Sequence, residues 1–130
     1  MENPASLSRI VLDGILRQSL GFRGLVLADD LGMGAVAKRY GPGEAAVRTL
    51  RAGSDIAMLC HDWSAVGPAI AAVEKACKEN LFSQDESDAS LERIDEFCAQ
   101  TESPEPQPPI TAIGCPEHRE LARKIRAQLA

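Results

Sequence analysis

The chain has 130 residues, 45% of them hydrophobic and 25% charged, which suits a globular domain with an ordinary core. Its net charge of −5 repels phosphate backbones and anionic membrane surfaces, so we expect neither nucleic acid nor a membrane as a partner. No stretch approaches the roughly 20 apolar residues of a membrane span, and no N-terminal targeting pattern is present, so the sequence predicts a cytoplasmic protein.

The first thirty residues change from a helical to a strand pattern. Apolar residues recur at helical spacing over 11–20, behind a cap at Ser6 or Ser8, and Gly21 supplies the stop. The uninterrupted apolar run at 24–28, Gly-Leu-Val-Leu-Ala, is typical of a strand buried on both faces. This run ends abruptly at two carboxylates, Asp29 and Asp30.

The next fifty residues repeat the alternation of helix and strand. A glycine-rich loop precedes a second helix, a second short apolar run ends in polar residues, and a third helix follows. The predicted elements are a loop over Leu31–Gly43 with a helical turn at Ala35–Arg39, a helix over Glu44–Ala52, a strand over Ile56–Cys60 and a helix from Ser64 or Pro68 to about Asn80.

This alternation predicts an α/β fold with parallel strands covered by helices, and the distance between strand starts at Leu25 and Ile56 suits one βα repeat of a barrel. Two strands leave open edges, so we expect an incomplete chain, a second subunit, or self-association through those edges. Ligands bind at the carboxyl ends of parallel strands. The side chains at those ends are Asp29, Asp30, His61 and Asp62.

Beyond residue 82 the periodicity weakens. We predict an acidic surface helix over 83–100, whose helical periodicity is visible only at Ser90–Ala99, a proline-rich linker over 101–116 and a terminal helix over 117–130. The cysteines lie far apart without a Cys-x-x-Cys pair, so we expect reduced, mostly buried thiols and neither a zinc site nor a disulfide framework. They are Cys60, Cys77, Cys98 and Cys115.

The aspartate pair is the strongest chemical signal in the residues themselves. A carboxylate at the end of a buried strand suits nucleophilic or acid/base work, because low dielectric and a fixed backbone tune its pKa. The alternative is that one aspartate caps the following turn while the other pairs with an arginine. Leu25, Leu27 and Asp29 share one strand face, so one aspartate points inward and the other away, but the spacing does not say which.

Several motifs in order resemble the nucleophile region of glycoside hydrolase family 3, in the Asp-Asp-Leu-x-Met form of the bacterial β-N-acetylhexosaminidases. The resemblance implies the C-terminal βα units of an incomplete (β/α)8 TIM-type barrel over residues 1–82, followed by a helical tail. The motifs are Pro4-Ala5-Ser6-Leu7-Ser8, Leu20-Gly21-Phe22, Gly24-Leu25-Val26, Asp29-Asp30-Leu31-Gly32-Met33 and Gly53-Ser54-Asp55.

The resemblance implies a role for each member of the aspartate pair. Asp29 becomes the catalytic nucleophile, which forms a covalent glycosyl-aspartate that water hydrolyses with retention. Asp30 then supports the loop through hydrogen bonds. Met33, His61 and Asp62 are candidate substrate-binding residues, and no metal or organic cofactor is implied.

All three of these candidates have an alternative structural interpretation. His61 and Asp62, with Trp63, either line a sugar subsite or form a helix entry in which Asp62 or Ser64 is the cap and Trp63 packs on the barrel rim. Met33 either contacts the sugar or packs under the nucleophile loop.

The chain also departs from the family pattern. Ala28 replaces the hydroxyl residue commonly found before the nucleophile. The family's lysine-histidine sugar-binding motif and its acid/base loop lie upstream of the matching region and have no counterpart here. Because neither His61 nor His118 stands in a matching context, no acid/base residue is assigned.

The implied function is a retaining exo-glycosidase that releases terminal β-linked N-acetylhexosamine from an N-acetylglucosamine-containing or muropeptide-like glycan. One alternative is a β-glucosidase or β-xylosidase of the same family. Another is a catalytically incomplete fragment that acts as a packing or interaction module. A doubly wound signalling domain with an acidic pocket fits the alternation but not the flanking motifs.

Overall fold

The structure, a computed structural model, describes residues 3–101 and 109–128, most of which are helical. Within these two ranges, no helix is both long and apolar enough to cross a membrane. Short 3-10 turns lie at Ala5–Leu7, Trp63–Ala65 and Ile110–Ala112. The longer helices are a π-helix at Ile10–Ser19, α1 at Gly34–Ala37, α2 at Pro42–Ala52, α3 at Val66–Lys78, α4 at Gln84–Thr101 and α5 at Pro116–Gln128.

The two predicted strands are extended segments that pair only briefly. Residues 24–28, the first segment, and 56–60, the second segment, meet in a single parallel bridge between Leu27 and Ile56. The Ala28 N–H donates to the Ile56 carbonyl at 2.9 Å, and the Ile56 N–H donates to the Val26 carbonyl at 3.2 Å. The prediction of two full strands is therefore wrong, although their parallel direction is right.

The reason is that each segment has a single neighbour among the described residues. Paired segments without a third strand lack the cooperative ladder that stabilises a sheet. The part of the chain that the structure describes therefore forms two extended segments under helices, and it does not close a barrel.

The core is small and rich in alanine, and it lies between the segments and the helices α2 and α3. Its members come from the first turn, the first segment, the following loop and the three helices α1 to α3. The buried cluster consists of Leu7, Ala28, Leu31, Val36, Ala45, Ala46 and Ala69, with Tyr40, Ala57, Leu59 and Val73 packed against it. Small side chains allow helices to approach segments closely, which matches the scarcity of aromatic residues.

Helices α2 and α3 touch at a glycine. A Cβ placed on Gly43 would lie 2.7 Å from the Ala72 Cβ and 3.1 Å from the Pro68 carbonyl oxygen, so a side chain does not fit there. Helix α2 ends at Gly53, whose φ of 115° is the left-handed conformation that glycine adopts readily at helix ends. The fully buried Thr49 donates from Oγ1 to the Ser6 carbonyl at 2.8 Å and so fixes the N-terminal turn to α2.

The helices begin and end near the predicted positions, with informative differences. The first is a π-helix, and neither Ser6 nor Ser8 caps it with a side chain. Helix α4 begins at Gln84, six residues before the Ser90 at which the periodicity becomes visible. In the tail, residues 102–108 and 129–130 lie outside the described residues. The first part of the predicted linker and the last two residues of the predicted terminal helix therefore also lie outside them.

The prediction of mostly buried cysteines is wrong. Cys60, Cys77 and Cys98 are exposed and Cys115 is partly buried, and within the described residues none of them forms a disulfide. Cys77 lies on α3 and Cys98 on α4, and both side chains remain accessible to solvent.

Candidate active site at the ends of the extended segments

The first segment has two clearly different faces. Val26 and Ala28 are buried, Ala28 within the core cluster that includes residues of α1 to α3, whereas Leu27 between them is 50% exposed. The alternation continues into the carboxylate pair, so Asp30 is buried at 9% exposure and Asp29 is exposed. The structure thus settles the orientation that spacing alone left open: Asp29 lies on the uncovered face and Asp30 faces the helices.

Asp30 joins the ends of the two segments through its carboxylate. Its Oδ1 accepts the backbone N–H of Gly32 at 3.0 Å and that of Cys60 at 3.1 Å. Its Oδ2 lies 2.6 Å from Nδ1 of His61. One side chain therefore fixes the turn after the first segment, the backbone at the end of the second segment, and the imidazole that follows.

These contacts keep Asp30 ionised. The hydrogen bond from His61, and then those from the Gly32 and Cys60 amides, lower the pKa of Asp30 below its usual value near 3.8, against the raising effect of burial. The backbone of Gly32 lies close to the Asp30 carboxylate, because a Cβ on Gly32 would lie 3.2 Å from Oδ1 of Asp30. Glycine at position 32 is therefore part of the arrangement.

Asp29 is held loosely by comparison. Its Oδ1 accepts the N–H of Asp30 at 2.8 Å, which orients the carboxylate without burying it. The carboxylate is thus accessible from the uncovered face, at the carboxyl end of a parallel segment. Met33, 51% exposed, ends the turn that follows, and its N–H donates to the Asp30 carbonyl at 3.0 Å.

The other polar residues at the segment ends have distinct positions. The His61 side chain is 87% exposed although its Nδ1 is fixed by Asp30. Asp62 is a helix cap, since its Oδ1 accepts the Ser64 N–H at 2.9 Å and its hydroxyl at 2.6 Å. These bonds from Ser64 lower the pKa of Asp62. Trp63 is 83% exposed, which does not support the alternative in which it packs on a rim of the described residues.

Sequence reasoning missed a second carboxylate cluster, at the opposite end of the segments. Asp55 precedes the second segment and its side chain is 1% exposed. Its Oδ2 accepts from Arg17 Nη2 and the Val26 N–H, both at 2.8 Å. Its Oδ1 accepts from Ser90 Oγ at 2.9 Å and from Arg93 Nε at 3.0 Å and Nη2 at 2.7 Å.

This cluster fastens helix α4 to the segments. Burial raises the pKa of Asp55, but the bonds from Arg93, Val26 and Ser90 outweigh it, and the pKa lies below its usual value. A cavity of about 520 Å³ lies beside the cluster, between the π-helix, the end of α2 and α4, and neither Asp29 nor Asp30 lines it. The cluster is structural, because its hydrogen bonds join the π-helix, the first segment and α4.

The described residues contain no group of three or more His, Cys, Asp or Glu side chains that could hold a metal ion. The segment ends present the exposed carboxylate of Asp29, the ionised buried carboxylate of Asp30 with the imidazole that it orients, and the capping carboxylate of Asp62.

Comparison with known families decides where the chain belongs. A model described as "Glycosyl hydrolase family 3 N terminal domain" matches residues 1–97. The chain belongs to glycosyl hydrolase family 3. The match includes both extended segments, the aspartate pair and most of α4.

Relatives of this family 3 chain include named hexosaminidases. The β-hexosaminidase of Nitrosomonas eutropha is 34% identical over 110 residues, which are 77% of this chain and 31% of that protein. The β-hexosaminidase A of Pseudoalteromonas piscicida is 26% identical over 135 residues, which cover 96% of this chain and 22% of that protein.

A solved structure gives the same placement. The family 3 β-N-acetylglucosaminidase from Paenibacillus sp. str. FPU-7 superimposes with a TM-score of 0.77 and 30% identity, over 94% of this chain and 24% of that one. The family 3 chain described here thus spans less than a third of the length of each of these three proteins.

Proposed function

We propose that the chain is the nucleophile-bearing part of a retaining exo-glycosidase that hydrolyses terminal β-linked N-acetylhexosamine. The observation that carries the proposal is the exposed Asp29 carboxylate at the carboxyl end of a parallel segment, within the motif that resembles the family's nucleophile region. Residues 1–82 are the proposed C-terminal portion of a barrel, 83–100 the acidic surface helix, 101–116 the linker and 117–130 the terminal helix.

The proposed reaction has two steps. An oxygen of Asp29 attacks the anomeric carbon, the bond from that carbon to the leaving oxygen breaks, and the leaving oxygen takes up a proton. Water then attacks the anomeric carbon of the glycosyl-aspartate, loses a proton and releases Asp29, with net retention. Asp30 supports the loop, and Met33, His61 and Asp62 are the proposed substrate-binding residues.

An N-acetylglucosamine-containing or muropeptide-like glycan is the proposed substrate, supported by the names of the hexosaminidase relatives. The test compares hydrolysis of p-nitrophenyl N-acetyl-β-glucosaminide and p-nitrophenyl β-glucoside. We expect release from the first and its loss in Asp29→Asn. The control is Asp95→Asn, the same change at an exposed carboxylate on α4. A preference for the glucoside would move the proposal to a β-glucosidase or β-xylosidase.

A second candidate function is a packing or interaction module that is catalytically incomplete. It is favoured by the half-exposed Leu27 on the uncovered face. Self-association through the open edges of the segments is one form of it. A folded chain that hydrolyses neither glycoside and sediments as a dimer would support this function. The predicted cytoplasmic location stays a prediction.

A further inference from the structure

The Asp30–His61 pair fixes which ring nitrogen of His61 carries the proton. An ionised carboxylate only accepts hydrogen bonds, and the Asp30 Oδ1 already accepts two backbone N–H groups. The 2.6 Å contact between Oδ2 and Nδ1 therefore requires a proton on Nδ1. In the neutral ring, Nε2 is then an unprotonated acceptor.

The imidazole is anchored and yet open to solvent. Buried hydrogen-bonding groups that only brace a fold are normally covered, whereas this ring is 87% exposed at the end of the second segment. Within 3–101 and 109–128, no residue supplies Nε2 with a hydrogen-bond partner. The same Asp30 donates its N–H to Asp29, so the exposed ring and the exposed carboxylate are connected by one residue.

We infer that His61 contacts the sugar bound at Asp29 by accepting a hydrogen bond at Nε2 from a sugar hydroxyl, and that Asp30 is its positioning residue. This inference rests on the proposed function. A carboxylate that holds the other ring nitrogen of a histidine fixes both the tautomer and the ring orientation, as it does for histidines that bind metals. The ligand class is a terminal N-acetylhexosaminide, whose free ring hydroxyls can donate to Nε2.

The first measurement is the tautomer in the free protein. Long-range ¹H–¹⁵N NMR spectra are recorded on the ¹⁵N-labelled chain at about pH 8, where ordinary imidazoles are neutral. His61→Gln and His118→Gln assign the two rings, and His118 is the matched control. We expect the Nδ1-protonated pattern for His61. The Nε2-protonated pattern at His61 would overturn the inference.

The second measurement adds methyl N-acetyl-β-glucosaminide to the same sample. The inference predicts that the Nε2 resonance of His61 shifts to a saturating value as the glycoside is added. The ring ¹⁵N resonances of His118 should not shift. If the backbone amides of residues 29–33 move but Nε2 does not, the inference fails and the proposed function stands. If neither moves, both fail.

Replacing the His61 side chain distinguishes a role in ligand binding from a purely structural role. We expect His61→Ala to weaken the affinity for this glycoside about 2–10-fold, the range of one neutral hydrogen bond. His61→Gln should restore part of it, because its Oε1 also accepts. Equal affinity in all three folded proteins would overturn the inference, since a purely structural role changes unfolding rather than affinity.

Discussion

Replacement of Asp55 by alanine should be among the most destabilising single changes in the chain. The substitution removes an acceptor of five hydrogen bonds and leaves Arg17 and Arg93 facing each other without a counter-charge. It also releases helix α4, whose Ser90 and Arg93 are held by this carboxylate.

The magnitude follows from burial. Removing one partner of a buried ion pair costs about 3–5 kcal/mol, because the remaining charge is uncompensated. The two arginine side chains are 14% and 23% exposed, so water can reach them in part, and we expect the lower end, about 3 kcal/mol. Asp55→Asn keeps one acceptor oxygen and should cost less.

The assay is urea unfolding followed by far-ultraviolet circular dichroism, with the free energy of unfolding extrapolated to water. The control is Glu44→Ala, which breaks the exposed pair with Arg48 and should cost less than about 0.5 kcal/mol. If Asp55→Ala and Glu44→Ala lose the same small free energy, the cluster does not fasten α4 and the reasoning is refuted.

Three further predictions concern the turn after the first segment, the start of α4 and the stability of the fold at low pH. Gly32→Ala should cost about 1–3 kcal/mol in unfolding experiments, because its Cβ would crowd Oδ1 of Asp30 at 3.2 Å; no loss would contradict the close approach. Ser83→Ala should cost about 1 kcal/mol, since Ser83 Oγ accepts the Glu86 N–H at 3.2 Å; an unchanged urea midpoint would contradict this cap. Asp30 and Asp55 have lowered pKa values when folded, so they stabilise the fold above the usual carboxyl pKa near 3.8 and lose this effect as pH falls through the folded values. The urea midpoint should therefore fall as the pH is lowered below about 4, and less steeply in Asp55→Ala.

Periodicity predicted which parts of the chain are helical, because that information is local. The start of α4 was also readable: Ser83 and Glu86 form a reciprocal cap, in which the Glu86 carboxylate accepts the Ser83 N–H at 3.4 Å. The Ser-x-x-Glu pattern is the sequence signal for this start. The apolar periodicity of the acidic stretch is weak and does not mark this start.

Strand extent was not predictable from the segments themselves. An apolar run reports that a segment is suited to burial in a sheet, but a pair of segments without further strands is only marginally stable as a ladder. Leu27 shows the consequence, since a residue typical of a strand buried on both faces is half exposed here.

The site was predictable in its location and not in its contacts. The rule about strand ends pointed to Asp29, Asp30, His61 and Asp62, and the structure joins Asp30 to His61 across 31 residues of sequence. Asp55 carried no comparable signal, because its arginine partners lie 38 residues away on either side. Such pairings are set by the packing of helices, which no local pattern records.

The most direct test of the account is to trap the glycosyl group on Asp29. A β-N-acetylglucosaminide with a dinitrophenyl leaving group needs little acid assistance, so it can glycosylate the nucleophile even where proton donation is poor. The chain is quenched in acid during turnover, digested and measured by mass spectrometry. The account predicts one added N-acetylhexosamine on the peptide that contains Asp29, and none in Asp29→Asn. A glycosylated peptide that lacks Asp29, or turnover of this substrate without any covalent adduct, would contradict it.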